Sequence, residues 1–141
     1  MNKNFFEVKN VDFSVSGKIK VRNASFSIKN EGDVVCLLGP SGIGKTTVLR
    51  SIAGLEKVQN GTIELNNKTL SSKNINIDPE NRNISLAFQE NSLFPHYTIE
   101  KNILLGAERN KNNKEKKISL KELVDLLDIS HILNKFPHQV S

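Results

Sequence analysis

Eight consecutive residues, Gly39-Pro40-Ser41-Gly42-Ile43-Gly44-Lys45-Thr46, carry the clearest chemistry in this chain, with Thr47 directly behind them. They fit the phosphate-binding pattern G-x-x-x-x-G-K-[ST], and each residue type has a physical reason to be there. Glycines let the backbone curl so that successive N–H groups, from Gly42 to Thr46, can point inward at a phosphate. A helix that follows the loop adds the partial positive charge of its N-terminus. Lys45 is long enough to reach two phosphates of a polyphosphate, and the Thr46 hydroxyl is a hard oxygen suited to Mg²⁺.

Such a loop must sit between a strand and a helix, and the flanking residues predict both. The run Val34-Val35-Cys36-Leu37-Leu38 is apolar on both faces, as a strand buried in a parallel sheet should be, and Gly39-Pro40 ends it. Cys36 reads as a small buried hydrophobe there, and as the one cysteine of the chain it can form no internal disulfide. A helix is expected from about Gly44 to Ala53, with Gly54 left-handed after its last turn and Leu55 folded back on it.

Around this centre the pattern changes period. Val11, Phe13 and Val15 share one face, as do Ala24, Phe26 and Ile28, which predicts an N-terminal antiparallel β-subdomain. Thr62 to Leu65 and Lys68 to Leu70 form a further strand pair with Asn66-Asn67 as the turn. Ile84, Leu86 and Phe88 predict a strand ending near Gln89. Beyond it, Thr98 caps a short helix through Leu104, and Ser119 with Glu122 forms a capping box for another. The second helix carries one apolar stripe of Leu120, Leu123, Val124 and Leu127.

Composition excludes some classes of function. At 141 residues, 37% hydrophobic and 25% charged, the chain reads as a soluble, cytosolic globular domain. No apolar run approaches the roughly 18 residues that span a bilayer, and the start lacks a signal-peptide core, so any membrane role works through a partner. The net charge of +5 is spread out. Its densest stretch, Asn110 to Lys117, has no interleaved aromatics and contains Glu115, so it reads as a solvated loop and nucleic acid is not an expected partner. His96, His131 and His138 have no ligand-like spacing and are assigned to no metal.

The stretch from Leu38 to Glu56 closely resembles the Walker A segment of ABC-transporter nucleotide-binding domains. Two further segments agree. Phe88-Gln89-Glu90 followed by Leu93-Phe94-Pro95-His96 is similar to the Q-loop of bacterial importer ATPases. Phe136-Pro137-His138-Gln139-Val140-Ser141 resembles the approach to the ABC signature motif. The resemblance implies an α/β fold: a P-loop NTPase core of parallel sheet with flanking helices, an N-terminal antiparallel β-subdomain and the start of a helical subdomain. It implies one incomplete domain over residues 1–141, with the β-subdomain at about 1–30 and 61–70. The P-loop core would occupy 31–60 and 80–90, and the Q-loop and helical subdomain 91–141.

The same resemblance implies ATP and Mg²⁺ as cofactors, held by Gly39, Pro40, Ser41, Gly42, Ile43, Gly44, Lys45, Thr46 and Thr47. Lys45 and Gln89 would act in catalysis, and Thr46 and Gln89 would hold the metal. A strand over Ile84 to Phe88, running parallel beside Val34 to Leu38, would bring Gln89 near Thr46. Where the family stacks an aromatic residue on adenine this chain has Val15, with Phe13 two residues earlier as the other candidate. Implied partners are a second ATP-binding subunit, transmembrane permease subunits and, indirectly, a periplasmic solute-binding protein, with the chain peripheral on the cytoplasmic side of the inner membrane.

Ser72-Lys73-Asn74, Gln89-Glu90 and Phe136-Pro137-His138 look most like the ferric-iron branch, with polyamine, sulfate, thiamine and sugar importers close behind. The sequence stops where the signature would continue into Gly-Gly-Gln. The resemblance therefore implies a truncated half-site without Walker B aspartate, catalytic glutamate or switch histidine, inactive in isolation. The alternatives are a soluble P-loop ATPase or kinase unconnected with transport, and a non-catalytic remnant.

Overall fold

The structure is a computed structural model that describes residues 4–88, 92–108 and 118–140. It divides into two compact units, Met1–Leu86 and Ala87–Ser141. In the first, strands β1 (Phe6–Val15), β2 (Lys18–Ile28), β3 (Thr62–Leu65) and β4 (Lys68–Ser71) form one antiparallel sheet in the order β2-β1-β3-β4. Both hairpins close on two residues with positive φ, Ser16-Gly17 and Asn66-Asn67, the backbone that matches the twist of paired strands.

The β1–β2 pairing is not a plain alternation. Phe6 and Val8 face the core, then Lys9 and Asn10 are both exposed, and Val11 and Phe13 face the core again. A bulge at Asn10, φ 49°, shifts the phase by one residue and brings both sets inward. Side chains seal it: the Asn10 N–H donates to Ser25 Oγ at 2.9 Å, and Asp12 accepts from the Asn23 N–H at 2.8 Å and from Asn60 at 3.0 Å. Those two donors hold the Asp12 carboxyl below its ordinary range.

Helix α1 (Lys45–Ile52) packs Thr47, Val48 and Ser51 inward, and Val48 joins Phe6, Val8, Val11, Phe13, Val58, Ile63 and Leu70 in the core. It ends as expected in the pattern that a left-handed glycine permits. Gly54 has φ 89°, its N–H donates to the Ser51 carbonyl at 3.1 Å, and Leu55 N–H donates to the Arg50 carbonyl at 2.9 Å.

Two expected strands are absent. Residues 33–40 form no strand, and Val34 and Leu38 are 91% and 90% exposed. Residues 84–88 form none either, and Phe88 is exposed. Cys36 is exposed rather than buried. A parallel strand exists only where neighbours satisfy its N–H and C=O groups, and among the described residues every pairing is antiparallel and none involves these runs.

In the second unit, α2 (Ile99–Glu108) runs four residues past the expected end at Leu104, and α3 spans Leu120–Leu127. Thr98 Oγ1 accepts from the Lys101 N–H at 3.3 Å, the cap expected from its position. Asn102 ties the preceding loop to α2, accepting from the Phe94 N–H at 2.8 Å and donating to the carbonyls of Phe94, Tyr97 and Thr98. The capping box of α3 is complete: Glu122 N–H donates to Ser119 Oγ at 3.2 Å, and Ser119 N–H donates to Glu122 Oε2 at 2.8 Å. Its apolar stripe is shorter than expected, because Val124 is buried while Leu127 is 56% exposed. The described residues contain no helix long and apolar enough to cross a membrane.

Candidate functional site

The loop Gly39–Thr46 leads into the N-terminus of α1, where Gly44 is the capping residue with φ 113°. Only glycine suits this position. A Cβ there would lie 2.7 Å from Val21 Cγ2 of β2, and an L side chain would be strained at that φ. Glycine also brings no side chain to cap the helix, and the first turn holds no acidic residue. The first bond across the helix start is Val48 N–H to the Gly44 carbonyl at 3.0 Å. Among the described residues the amides of Lys45, Thr46 and Thr47 meet no acceptor. Three unspent donors at the positive end of a helix dipole suit an anion.

Lys45 curls back over its own loop, its Nζ donating to the Gly39 and Pro40 carbonyls at 2.7 Å each. An ammonium held there meets an incoming phosphate without a search of its rotamers. Thr46 is exposed at the same helix end. Its hydroxyl supplies one hard oxygen, which suits Mg²⁺, a cation that keeps several waters and takes further oxygens from phosphates. The described residues therefore fit a phosphate with its Mg²⁺.

An apolar cavity of about 610 Å³ also opens beside Lys45 and Thr46, walled by Phe5, Phe26, Val35, Leu37 and Leu49. Apart from Lys45 and Thr46 at its edge its walls are mostly apolar side chains, which give a phosphate no donors, so the loop and not this cavity is the candidate site.

Other expected residues are placed differently. Val15 is half-buried at the end of β1, paired with Lys18 across the hairpin, whereas Phe13 is 0% exposed. The Phe13 ring is part of the core and has no free face for a base to stack on, which removes it as the alternative. Gln89 lies outside the described residues, as does the stretch 109–117. The strand expected to carry Gln89 toward Thr46 is not formed. Among the described residues, no group of three His, Cys, Asp or Glu side chains stands close enough to hold a metal. Sequence reasoning gave no role to Arg82, because an arginine within Asp78-Pro79-Glu80-Asn81-Arg82-Asn83 reads as a surface charge; it is 1% exposed.

A glycine-capped helix behind a lysine-bearing phosphate loop, on a flank of antiparallel sheet, defines the class as a P-loop protein. Residues 21–141 match the ABC transporter family, and the chain belongs to that family. Over its whole length it is 35% identical to the Fe(3+) ions import ATP-binding protein FbpC 2 of Haemophilus influenzae, of which it covers 40%. It is 35% identical over 96% of its length to the Fe(3+) ions import ATP-binding protein FbpC of Fusobacterium nucleatum, covering 35% of that protein. It is 37% identical over 94% of its length to the sn-glycerol-3-phosphate import ATP-binding protein UgpC of Brucella abortus, covering 37% of it.

The fold matches solved ATP-binding cassettes. An ATP-binding subunit of an ABC transporter superposes with a TM-score of 0.79 at 24% identity, over 97% of this chain and 56% of that one. A dimeric cassette in a post-hydrolysis state, bound to ADP and Pi, superposes at 0.69 and 24% identity, over 96% of this chain and 63% of that one.

Proposed function

We infer that the chain supplies the phosphate-binding part of an ABC-transporter ATP-binding subunit, one that couples Mg-ATP binding and hydrolysis to solute import. The observation that carries this is the start of α1, with its glycine cap, three unspent amides and the Lys45 ammonium folded over the loop. In this reading Gly39 to Thr47 cradle the phosphates. Lys45 neutralises charge on the β- and γ-phosphates, and Thr46 with Gln89 holds Mg²⁺. Val15 gives adenine an apolar contact in place of a stacked ring.

The domain is read as a single incomplete ATP-binding domain with the sub-regions expected from the sequence. Its partners are a second ATP-binding subunit and membrane permeases on the cytoplasmic face of the inner membrane, with a periplasmic binding protein acting at one remove. Relatives named for Fe(3+) import in two genera support ferric iron as the solute. The glycerol-3-phosphate importer of similar identity makes the solute the part of this reading to test by transport assay.

The primary test is calorimetric titration of the folded chain with Mg-ATP, beside Lys45→Ala. Loss of a charge-assisted contact should weaken binding about a hundredfold. Phosphate release should be absent from both, because an in-line water needs a general base and the resemblance places that base outside residues 1–141. Equal affinity in the two proteins would sink the nucleotide reading. Lys45-dependent turnover would show that the base lies within these residues.

A further inference from the structure

Among the described residues Arg82 is the largest fully buried side chain, and all five of its N–H donors are used. Nε donates to the Ile77 carbonyl at 2.7 Å. Nη1 donates to the carbonyls of Ser51 at 3.0 Å and Ile52 at 2.9 Å, and Nη2 to Ser71 Oγ at 2.7 Å and Asn76 Oδ1 at 2.9 Å. None of the five acceptors is a carboxylate. Burial pushes the guanidinium below its ordinary range, Asp78 pulls it back, and an arginine stays charged under such shifts.

The acceptors explain why a charge is kept there. The glycine turn after α1 satisfies the carbonyls of Leu49, Arg50 and Ser51, and leaves the Ile52 carbonyl for Arg82. A cation at that end also complements the negative pole of the helix dipole. The guanidinium plane packs so closely against Gly54 that a Cβ there would lie 2.5 Å from Nε. Arg82 thereby bolts the C-terminus of α1 to β4 and to the segment 76–77. That helix is only about 12 Å long, so a tilt at one end displaces the other.

We propose that Arg82 is a positioning residue of the phosphate site, fixing α1 from its far end so that Lys45 and Thr46 hold their places at the loop. The proposal rests on the nucleotide reading for its effect on affinity, and on the geometry alone for its effect on α1. A lysine cannot replace it, since one ammonium cannot span five acceptors set around a plane.

The test combines amide hydrogen exchange without nucleotide and Mg-ATP titration, on the chain and on Arg82→Lys, Arg82→Met and Gly54→Ala. Val11→Ala, a core truncation in β1, serves as a control for general destabilisation. The expected result is exchange about tenfold faster at amides 48–55 in the three variants, with β1 and β3 protection kept, and affinity per folded molecule reduced severalfold. Val11→Ala should loosen the sheet and leave that affinity alone. Unchanged α1 protection, or loss spread evenly over the unit with unchanged affinity, overturns the proposal. If Arg82→Met does not fold, Arg82→Lys and Gly54→Ala, which keep the charge, carry the same readout. A parent chain that takes up no Mg-ATP refutes the nucleotide reading instead, and the exchange pattern alone then decides the role of Arg82.

Discussion

The N-termini of α1 and α3 solve the same problem in opposite ways. Every helix begins with amides that its own turns cannot satisfy. At α3 the chain closes the end itself, with Ser119 accepting from Glu122 and Glu122 accepting from Ser119. At α1 it leaves the end open, with a glycine at the cap, no acid in the first turn and a lysine folded nearby. A closed end stabilises its own helix, whereas an open one gives up that stabilisation and keeps its field for a ligand. Side chains thus mark which helix start is structural and which is a candidate site.

Closing the open end should have the largest effect. Gly44→Ala forces an L side chain to φ 113° and a methyl against Val21, at a cost of about 1–3 kcal/mol. It should also weaken Mg-ATP binding at least about tenfold, because the cap residue sets the direction of the amides behind it. Melting curves and calorimetry read the two effects separately; native affinity in a folded Gly44→Ala protein would remove the contrast.

Next in size is Thr46→Ala. Removing one hard oxygen should cost about tenfold in affinity with Mg²⁺ present and little in EDTA, a difference of about 1.4 kcal/mol. An equal loss in both conditions would mean that Thr46 serves the fold and not the metal.

Opening the closed end should cost less. Ser119→Ala removes the acceptor for the Glu122 N–H and should destabilise α3 by about 1 kcal/mol, with nucleotide affinity unchanged. Circular dichroism on melting measures the first and titration the second; a change in affinity would show that the cap of α3 does more than hold its helix.

The smallest effect is a pH dependence. The backbone N–H and hydroxyl of Ser119 hold the Glu122 carboxyl below its ordinary 4.5. A carboxyl lowered on folding contributes fully above its unfolded value, and the contribution is lost as pH falls through the folded value. Glu122→Gln should therefore melt earlier than the parent chain at neutral pH, and the difference should close in acid below 4.5. A difference that persists there would mean that the charge is not the cause.

Much of this was legible in the chain because its code is local. The turn residues Asn66-Asn67, the glycine after α1, the Ser119 to Glu122 box and the phosphate loop each act within a few positions of sequence. Backbone sterics and short-range hydrogen bonds fix them wherever the rest of the molecule goes. The bulge at Asn10 was not legible. Alternation read strictly by twos put Val11, Phe13 and Val15 on one face, and only the pairing with β2 decides where an extra residue is tolerated.

The sequence by itself determined the phosphate loop, the helix behind it, both hairpins and the family to which they belong. Tertiary structure decided what depends on distant partners. It left the apolar runs 34–38 and 84–88 outside any strand, because hydrophobicity states a need for neighbours and cannot supply their hydrogen bonds. It buried Phe13 in the core and so left Val15 alone at the candidate base contact. It also drew Arg82 inward, since burial of a charge is decided by acceptors from α1, β4 and the segment 76–77, and they converge only in three dimensions.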